Sequence, residues 1–471
     1  MNQATLTPIK FGTDGWRAII ADGYTFANLE RVAQAYAAYL KQQNLSEPLV
    51  IVGYDRRFMS AQFAQRAAEV MAGNGLRVAL FDQDVPTPLV SWAVRESGAA
   101  GGIVITASHN PADFNGFKIK APWGGSAAPE TTAQVEALVD AGAPQRQSFD
   151  PTAYQSTLSD ASASYRAQIE NYVDLARLRG AAYKVVIDSM HGTGGTWTES
   201  FLPGGALQAE TIRAQRDPLF GGVAPEPIDR NLGPLKARVK ATGALLGLAT
   251  DGDADRLGAV NELGATMTMH EVVPLMILHL ARTRGWTGGV VRTFSQSVLT
   301  DRIAHAHGLK VYETPIGFKY IADLFQTEDI LLGAEESGGI GLKNHIPERD
   351  GILNSLVLLE AIIMSGRTPS QMVTEMHREF GAFYFGRNDL RCAVQQGKDL
   401  IVQLAENPPS QMAGHEVTGV ATMDGTKLLF ADESWLLFRQ SGTEPVLRVY
   451  AEATSTEKVS QLLAAGAALT Q

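Results

Sequence analysis

Short apolar runs rich in β-branched residues alternate along this chain with helical stripes, and several of the runs break off abruptly into polar loops. Leu29, Val32, Ala33, Tyr36, Ala37 and Leu40 recur at the spacing of one buried helix face. Residues 49–52 then read as a buried strand ending in Gly53-Tyr54-Asp55-Arg56-Arg57. Ser60 is placed to cap the next helix, with Phe63, Ala67, Val70 and Met71 inward and a stop near Gly73 and Gly75. Residues 76–81 predict a strand, 89–96 a helix and 103–106 a further strand. That last strand opens into Ala107-Ser108-His109-Asn110-Pro111. The alternation predicts a largely parallel α/β layer structure. In such sheets chemistry gathers outside the carboxyl ends of the strands.

From Ala127 to about Ser164 the apolar signal weakens while Ala, Pro, Ser and Gln accumulate, which puts a boundary around residues 145–165. A second α/β unit starts with a strand at 184–187 and leads into Asp188-Ser189-Met190-His191-Gly192. Another buried strand, 245–249, ends in Thr250-Asp251-Gly252-Asp253-Ala254-Asp255-Arg256. The third unit has a helix from about His270 and strands near Val290 and Val311. In it, residues 330–332 run into Gly333-Ala334-Glu335-Glu336-Ser337-Gly338-Gly339, and a helix over 352–364 closes the unit. After about Gly381 the pattern changes, with strands at 435–438 and 446–451 around Arg439-Gln440-Ser441-Gly442-Thr443-Glu444-Pro445 and a helix over 456–469. The expected domains are 1–150, 160–258, 259–372 and 380–471. There is no tandem repeat, but three units place a polar loop at the end of a strand, as a shared topology would.

Composition narrows the function. A chain of 471 residues is too long for one core. Its net charge of -10 leaves no basic footprint for nucleic acid or an anionic membrane, so neither partner is expected. The single cysteine, Cys392, excludes an intrachain disulfide framework and fits a reducing compartment. The first residues lack the charged-then-apolar pattern of a secretory leader, and apolar runs such as 272–280 are too short to span a bilayer. A cytoplasmic protein is expected.

The polar loops carry the candidate chemistry. Ser108 lies beside His109, with Lys118 ten residues beyond the serine; read alone, this is equally a strand-ending turn. Asp251, Asp253 and Asp255 put carboxylates at alternate positions, where they repel one another unless a cation intervenes. Hard oxygen ligands suit Mg²⁺ or Ca²⁺. An EF-hand loop is the nearest competitor, with Glu262 at its twelfth position, but Arg256 stands where that loop needs glycine and a strand precedes it. An exposed acidic turn is the other reading. Arg439 to Pro445 with Arg448 offers an anion cradle of guanidinium forks, hydroxyls and backbone N–H groups, or else a hairpin with an exposed arginine. Glu335 and Ser337 could grip sugar hydroxyls or simply make a turn. His279, His305, His307, Met267 and Met269 read as packing or surface residues. No P-loop, GxGxxG or GxSxG is present, so NTPase, dinucleotide and hydrolase-elbow readings have no footing.

Taken together, FGTDGWRA, TASHNP with NGFKIK, DGDADR, GFK, EESGG and RQSGTEP occur in this order from residue 11 to residue 445. That ordered set resembles the α-D-phosphohexomutase family (phosphoglucomutase/phosphomannomutase) over essentially the whole chain. The resemblance implies three related α/β units with mixed sheets plus a smaller C-terminal α+β domain of the TATA-binding-protein-like type, around a central cleft. It implies phosphoryl transfer between O1 and O6 of a hexose through a phosphoserine and a hexose 1,6-bisphosphate, which is both intermediate and activator. Ser108 would be the phosphoserine, and Asp251, Asp253 and Asp255 would hold Mg²⁺ with an oxygen of the Ser108 group. Arg439, Ser441, Gly442, Thr443 and Arg448 would hold the phosphate that is not reacting, and Glu335 and Ser337 the sugar hydroxyls. Arg17, His109, Lys118, Arg256 and Lys319 would surround the reacting end, with Lys319 or His109 exchanging the hydroxyl proton. Ala334 stands where many relatives have glycine, Ala254 replaces the more usual glycine of the acidic loop as in some relatives, and Gly339 and GFK lean towards glucose-type members. The expected partner is a small sugar phosphate, with glucose phosphates first, mannose phosphates second and glucosamine phosphate third, acting on a monomer or homodimer. A non-catalytic sugar-phosphate-binding protein and a phosphatase are the alternatives.

Overall fold

The computed structural model describes residues 8–12, 14–441 and 445–470. The first sheet contains β1 (Trp16–Ile19), β2 (Leu49–Tyr54), β3 (Arg77–Leu80), β4 (Gly101–Ile105) and β5 (Phe114–Lys120), in the order β1-β5-β4-β2-β3. β2 runs parallel to β3 and β4, whereas β5 is antiparallel to β4, and β1 to β5. The sheet is therefore mixed. A short loop joins β4 to β5, and without a crossover helix that pair has to be antiparallel. The helix Phe26–Gln42 buries the predicted stripe of Leu29, Val32, Ala33, Tyr36, Ala37 and Leu40. The expected cap at Ser60 is not formed: the helix Ser60–Gly73 starts after Met59 in a left-handed conformation (φ 58°). The Ser60 hydroxyl instead donates to Asp55 Oδ1 at 2.7 Å, because a buried carboxylate is the stronger acceptor.

A second sheet repeats the plan. β6 (Lys184–Asp188), β7 (Gln208–Ile212), β8 (Leu246–Thr250), β9 (Leu257–Asn261) and β10 (Thr266–Met267) lie in the order β10-β9-β8-β6-β7. β6, β7 and β8 are parallel, and β9 turns back antiparallel on β8. This sheet closes at Met267 rather than at residue 258, since β9 and β10 complete its hairpin edge. The weakly apolar stretch before it holds a helix, Gln155–Tyr172, with Leu158, Ala161, Tyr165, Ile169 and Tyr172 buried. Trp92 Nε1 donates to Ser164 Oγ at 2.8 Å, which ties that helix to the helix Thr87–Glu96.

In the third region β11 (Gly289–Thr293), β12 (Val311–Thr314) and β13 (Ile330–Ala334) run parallel in the order β12-β11-β13. The chain divides into two compact units, one reaching to Met267 and also holding Gly338–Thr368, the other holding Thr268–Ser337 and the chain from Pro369 onward. β14 (Ile340–Leu342) and the buried helix Gly351–Ser365 accordingly belong to the first unit. Asp350 caps that helix, accepting from the N–H groups of Ile352 (3.1 Å) and Leu353 (3.0 Å). Among the described residues no single helix is long and apolar enough to cross a membrane.

The last sheet is wholly antiparallel. It contains β15 (Tyr384–Arg391), β16 (Gln411–Met412), β17 (His415–Ala421), β18 (Thr426–Phe430), β19 (Trp435–Gln440) and β20 (Val446–Ala453), ordered β15-β20-β19-β18-β17-β16. One face packs on the helices Val394–Glu406 and Thr456–Ala468 through Leu404, Val459 and Leu462. On the other face Trp435, Leu437 and Tyr450 pack with Phe294. Glu452, fully buried on β20, accepts from Trp435 Nε1 (3.0 Å) and the Val298 N–H (2.9 Å) and lies 2.9 Å from His270 Nδ1. Glu452→Ala leaves those groups buried without an acceptor. It is expected to destabilise the second unit by about 3–5 kcal/mol, seen as a lower urea midpoint; an unchanged midpoint would count against this bonding.

Candidate active site

The loop between β4 and β5 presents Ser108 with φ at 54°, a left-handed conformation that a side-chain-bearing residue seldom adopts. Its N–H donates to Thr106 Oγ1 at 2.8 Å. Its hydroxyl donates to Asp251 Oδ2 at 2.9 Å, and His109 Nδ1 stands 3.4 Å from Ser108 Oγ. Asp251 lies in the loop between β8 and β9, the counterpart in the second sheet of the β4–β5 hairpin. The serine and the acidic loop therefore come from equivalent places in two successive sheets, and the fold brings them together.

The three aspartates are fully buried, and an oxygen from each lies within 4.8 Å of the others. Asp251 Oδ1 accepts from the backbone N–H groups of Asp255 (3.0 Å) and Arg256 (3.1 Å). Asp253 Oδ2 accepts from Thr87 Oγ1 (2.7 Å) and Lys118 Nζ (2.8 Å). Asp255 Oδ2 lies 3.1 Å from Lys118 Nζ and 3.0 Å from an Arg349 nitrogen. One oxygen of each carboxylate is thus anchored. The others, Asp253 Oδ1 and Asp255 Oδ1, have no hydrogen-bond partner among the described residues. Buried anionic oxygens left in this way are the donor set of a hard divalent cation, so the residues fit Mg²⁺. Ala254 turns the loop at φ 61°, keeping the left-handed bend that glycine would supply.

Burial, together with Asp253 and Asp255, pushes the Asp251 carboxyl well above its usual range. Burial would also raise Asp253, but Lys118, Thr87 and Arg349 prevail and hold it well below. Lys118 is likewise held charged by Asp14, Asp253 and Asp255 against the effect of burial. A second layer of charge backs the first. Asp14 Oδ2 takes Lys118 Nζ at 3.0 Å and Arg349 at 2.8 Å. Glu348 then pairs with Arg349 Nε (3.1 Å) and with Lys120 Nζ (2.6 Å). Arg17 on β1 donates to Asn110 Oδ1 at 2.7 Å beside the serine loop. Arg256, nearly buried, has its Nε without a partner among the described residues.

The remaining candidates lie in the second unit. Lys319 is in the first turn of the helix Phe318–Thr327, behind Gly317 at φ 143°, with its Nζ 4.9 Å from the Tyr320 ring. Glu335, buried, and Ser337, half-buried, follow directly on β13. Arg439 and Arg448 face each other across β19 and β20, a repulsive pairing that Asp424 (3.0 Å from Arg439) and Asp389 (4.0 Å from Arg448) offset. Ser441 is buried, its N–H bonded to the Val446 carbonyl at 2.9 Å. Gly442 and Thr443 lie outside the described residues. Sequence reasoning missed Asp14, Thr87, Lys120, Glu348 and Arg349. Asp14 sits inside FGTDGWRA and Lys120 inside NGFKIK, whereas Thr87, Glu348 and Arg349 lie in segments that show no local motif.

Four family models match the chain in succession, each described as a domain of phosphoglucomutase/phosphomannomutase. Alpha/beta/alpha domains I, II and III fall at residues 8–146, 163–264 and 269–380, and the C-terminal domain at 390–469. A phosphoglucomutase/phosphomannomutase of Thermococcus kodakarensis is 31% identical over 97% of both chains. A protein of Methanothermobacter thermautotrophicus named as a probable phosphoglucosamine mutase is also 31% identical, over 96% of this chain and 95% of that one. A solved structure named for a putative phosphomannomutase of Thermus thermophilus is 36% identical, with a TM-score of 0.87 over 99% of both chains.

Asp253→Asn and Asp255→Asn each remove the full negative charge of one ligand. Both are expected to weaken Mg²⁺ binding tenfold or more, measured by calorimetry; unchanged binding would remove the triad from consideration. Glu348, which burial would raise, is drawn down to about 2 by Lys120 and Arg349. A carboxyl depressed on folding adds stability above its ordinary value of 4.5 and loses it as pH falls towards 2. Glu348→Gln is therefore expected to flatten the acid limb of the stability curve between those two values, followed by denaturation at stepped pH.

Proposed function

The chain is a member of the α-D-phosphohexomutase family, and on that premise we propose that it interconverts glucose 1-phosphate and glucose 6-phosphate with Ser108 as phosphoryl carrier. The observation that carries the reading is the Ser108 hydroxyl, 2.9 Å from Asp251 in a triad that keeps two carboxylate oxygens without a hydrogen-bond partner among the described residues. Phosphoryl transfer asks a protein for in-line placement, neutralised charge and a proton acceptor, and for little covalent chemistry. When bound by Asp251, Asp253, Asp255 and an oxygen of the Ser108 group, Mg²⁺ supplies positive charge against the phosphoryl oxygens.

In the proposed cycle the substrate's free hydroxyl attacks phosphoserine: a sugar O–P bond forms, the Ser108 Oγ–P bond breaks and the hydroxyl proton leaves. The hexose 1,6-bisphosphate then returns its other phosphoryl group to Ser108 Oγ, and the proton goes to the sugar oxygen that is released. His109, at 3.4 Å from Ser108 Oγ, and Lys319 are proposed to exchange that proton. Arg17 and Arg256 are proposed to meet phosphoryl charge, and Lys118 to keep the carboxylates oriented. Arg439, Ser441, Gly442, Thr443 and Arg448 are assigned the distal phosphate, and Glu335 and Ser337 the sugar hydroxyls. The glucose preference is supported by Gly339 and by Gly317-Phe318-Lys319, which resemble glucose-type members.

Ser108→Ala is expected to lower mutase turnover by about 10⁴-fold or more, with the phosphate adduct on intact protein lost in mass spectrometry. Undiminished turnover would remove the carrier role. Measured with glucose, mannose and glucosamine 1-phosphates, kcat/KM is expected to be highest for glucose; a higher value for either of the others would transfer the assignment to that sugar.

A further inference from the structure

Arg57 follows β2, is fully buried, and forms its ion pair with Asp55 rather than with an aspartate of the acidic loop. A guanidinium carries five N–H donors in one plane, and here all are used. Nε donates to Asp55 Oδ2 at 3.1 Å. One terminal nitrogen reaches the carbonyls of Pro111 (2.6 Å) and Phe114 (3.1 Å), and the other those of Ser108 (2.7 Å) and Asn110 (2.6 Å). Four carbonyl oxygens of the serine loop thus converge on one buried point, where their dipoles would repel without a cation between them. The Phe220 ring lies 5.0 Å from the guanidinium carbon on one side.

The other peptide group of Ser108 is tied to the same pair. Its N–H donates to Thr106 Oγ1, and the Thr106 hydroxyl bonds Asp55. Asp55 also accepts from Ser60 Oγ (2.7 Å) and from the Arg57 N–H (3.0 Å). Both peptide units flanking Ser108 therefore end on the Asp55–Arg57 pair. Between them the residue is kept at φ 54°, a conformation that survives only where its surroundings over-determine it. A lysine brings the same charge but cannot present a planar fork to four carbonyls. Bulk stability does not call for this device either, since apolar residues of similar volume fill a buried ion pair's place as well or better.

We propose that Arg57, acting with Asp55 and Thr106, is the positioning residue that locks Ser108 in the left-handed conformation and aims its hydroxyl at Asp251. The proposal deepens the reading of Ser108 as phosphoryl carrier and rests on it. Arg57 touches the loop and not the substrate, so its loss acts on transfer and spares binding. The test uses full-length protein, Arg57→Lys and Thr106→Val, with glucose 1,6-bisphosphate as phosphoryl donor. The readouts are the rate of phosphate uptake at residue 108 by intact mass, kcat and KM for the sugar monophosphate, and the melting temperature.

Arg57→Lys is expected to slow uptake and kcat by about 10²-fold, the effect of an ångström-scale misplacement, with KM within about threefold of wild type. Thr106→Val, which keeps the ion pair and the side-chain shape, is expected to lose about tenfold in the same two quantities with an unchanged KM. If Arg57→Lys does not fold, Thr106→Val decides the matter alone. Folded variants that take up phosphate at the wild-type rate overturn the positioning role, as does a fall confined to KM. Wild-type protein that takes no phosphate at residue 108 overturns the carrier reading instead, so the two failures are told apart.

Discussion

Three carboxylates withdrawn from water within one short loop repel each other strongly, and the first unit is arranged around that repulsion. Lys118 on β5 is placed against Asp253 and Asp255, and Arg349, just ahead of the helix Gly351–Ser365, is placed against Asp255 and Asp14. Glu348 and Lys120 carry the alternation of sign one layer further out. No pair here makes a strong case for stability alone, because desolvation offsets much of each attraction. Their joint effect is one of orientation: every aspartate has at least one oxygen tied, and among the described residues Asp253 and Asp255 keep the other without a partner.

Placement follows from topology. In each of the first two sheets a central parallel strand is followed by an antiparallel return, and the loop at that turn holds Ser108 in one case and the three aspartates in the other. β13, next to β11 in its own parallel set, likewise ends in Glu335 and Ser337. One architectural position has thus been filled with a hydroxyl, an acidic cluster and a Glu-Glu-Ser turn. Ends of parallel strands suit this because the strand is rigid, buried on both faces and indifferent to what its loop contains.

The parts of this plan that show in the sequence are local ones. Asp251, Asp253 and Asp255 are legible because their spacing is itself the conflict that needs a cation, and Ser108 because an apolar run stops at it. Lys120 with Glu348, and Asp14 with Arg349, are joined across 228 and 335 residues, and no local pattern marks charges that meet only after folding. Ser60 reads as a cap because nothing nearby reveals that Asp55 will claim its hydroxyl. The helix Gln155–Tyr172 does carry a stripe at three- and four-residue spacing, from Leu158 to Tyr172, but the surrounding Ser, Ala and Gln dilute it. The mixed character of the sheets depends on loop lengths and pairing partners, which hydrophobic periodicity does not encode.

The first unit is discontinuous: Thr268–Ser337 interrupts it, and Gly338–Thr368 completes it. The ion pair between Asp14 and Arg349 therefore waits until most of the polypeptide has left the ribosome. An amino-terminal stretch that emerges early carries Lys118 and the aspartates but not the guanidinium that completes their compensation. Vectorial synthesis, which lets many multidomain chains finish one domain before starting the next, cannot complete the first unit before Arg349 and the helix Gly351–Ser365 have emerged.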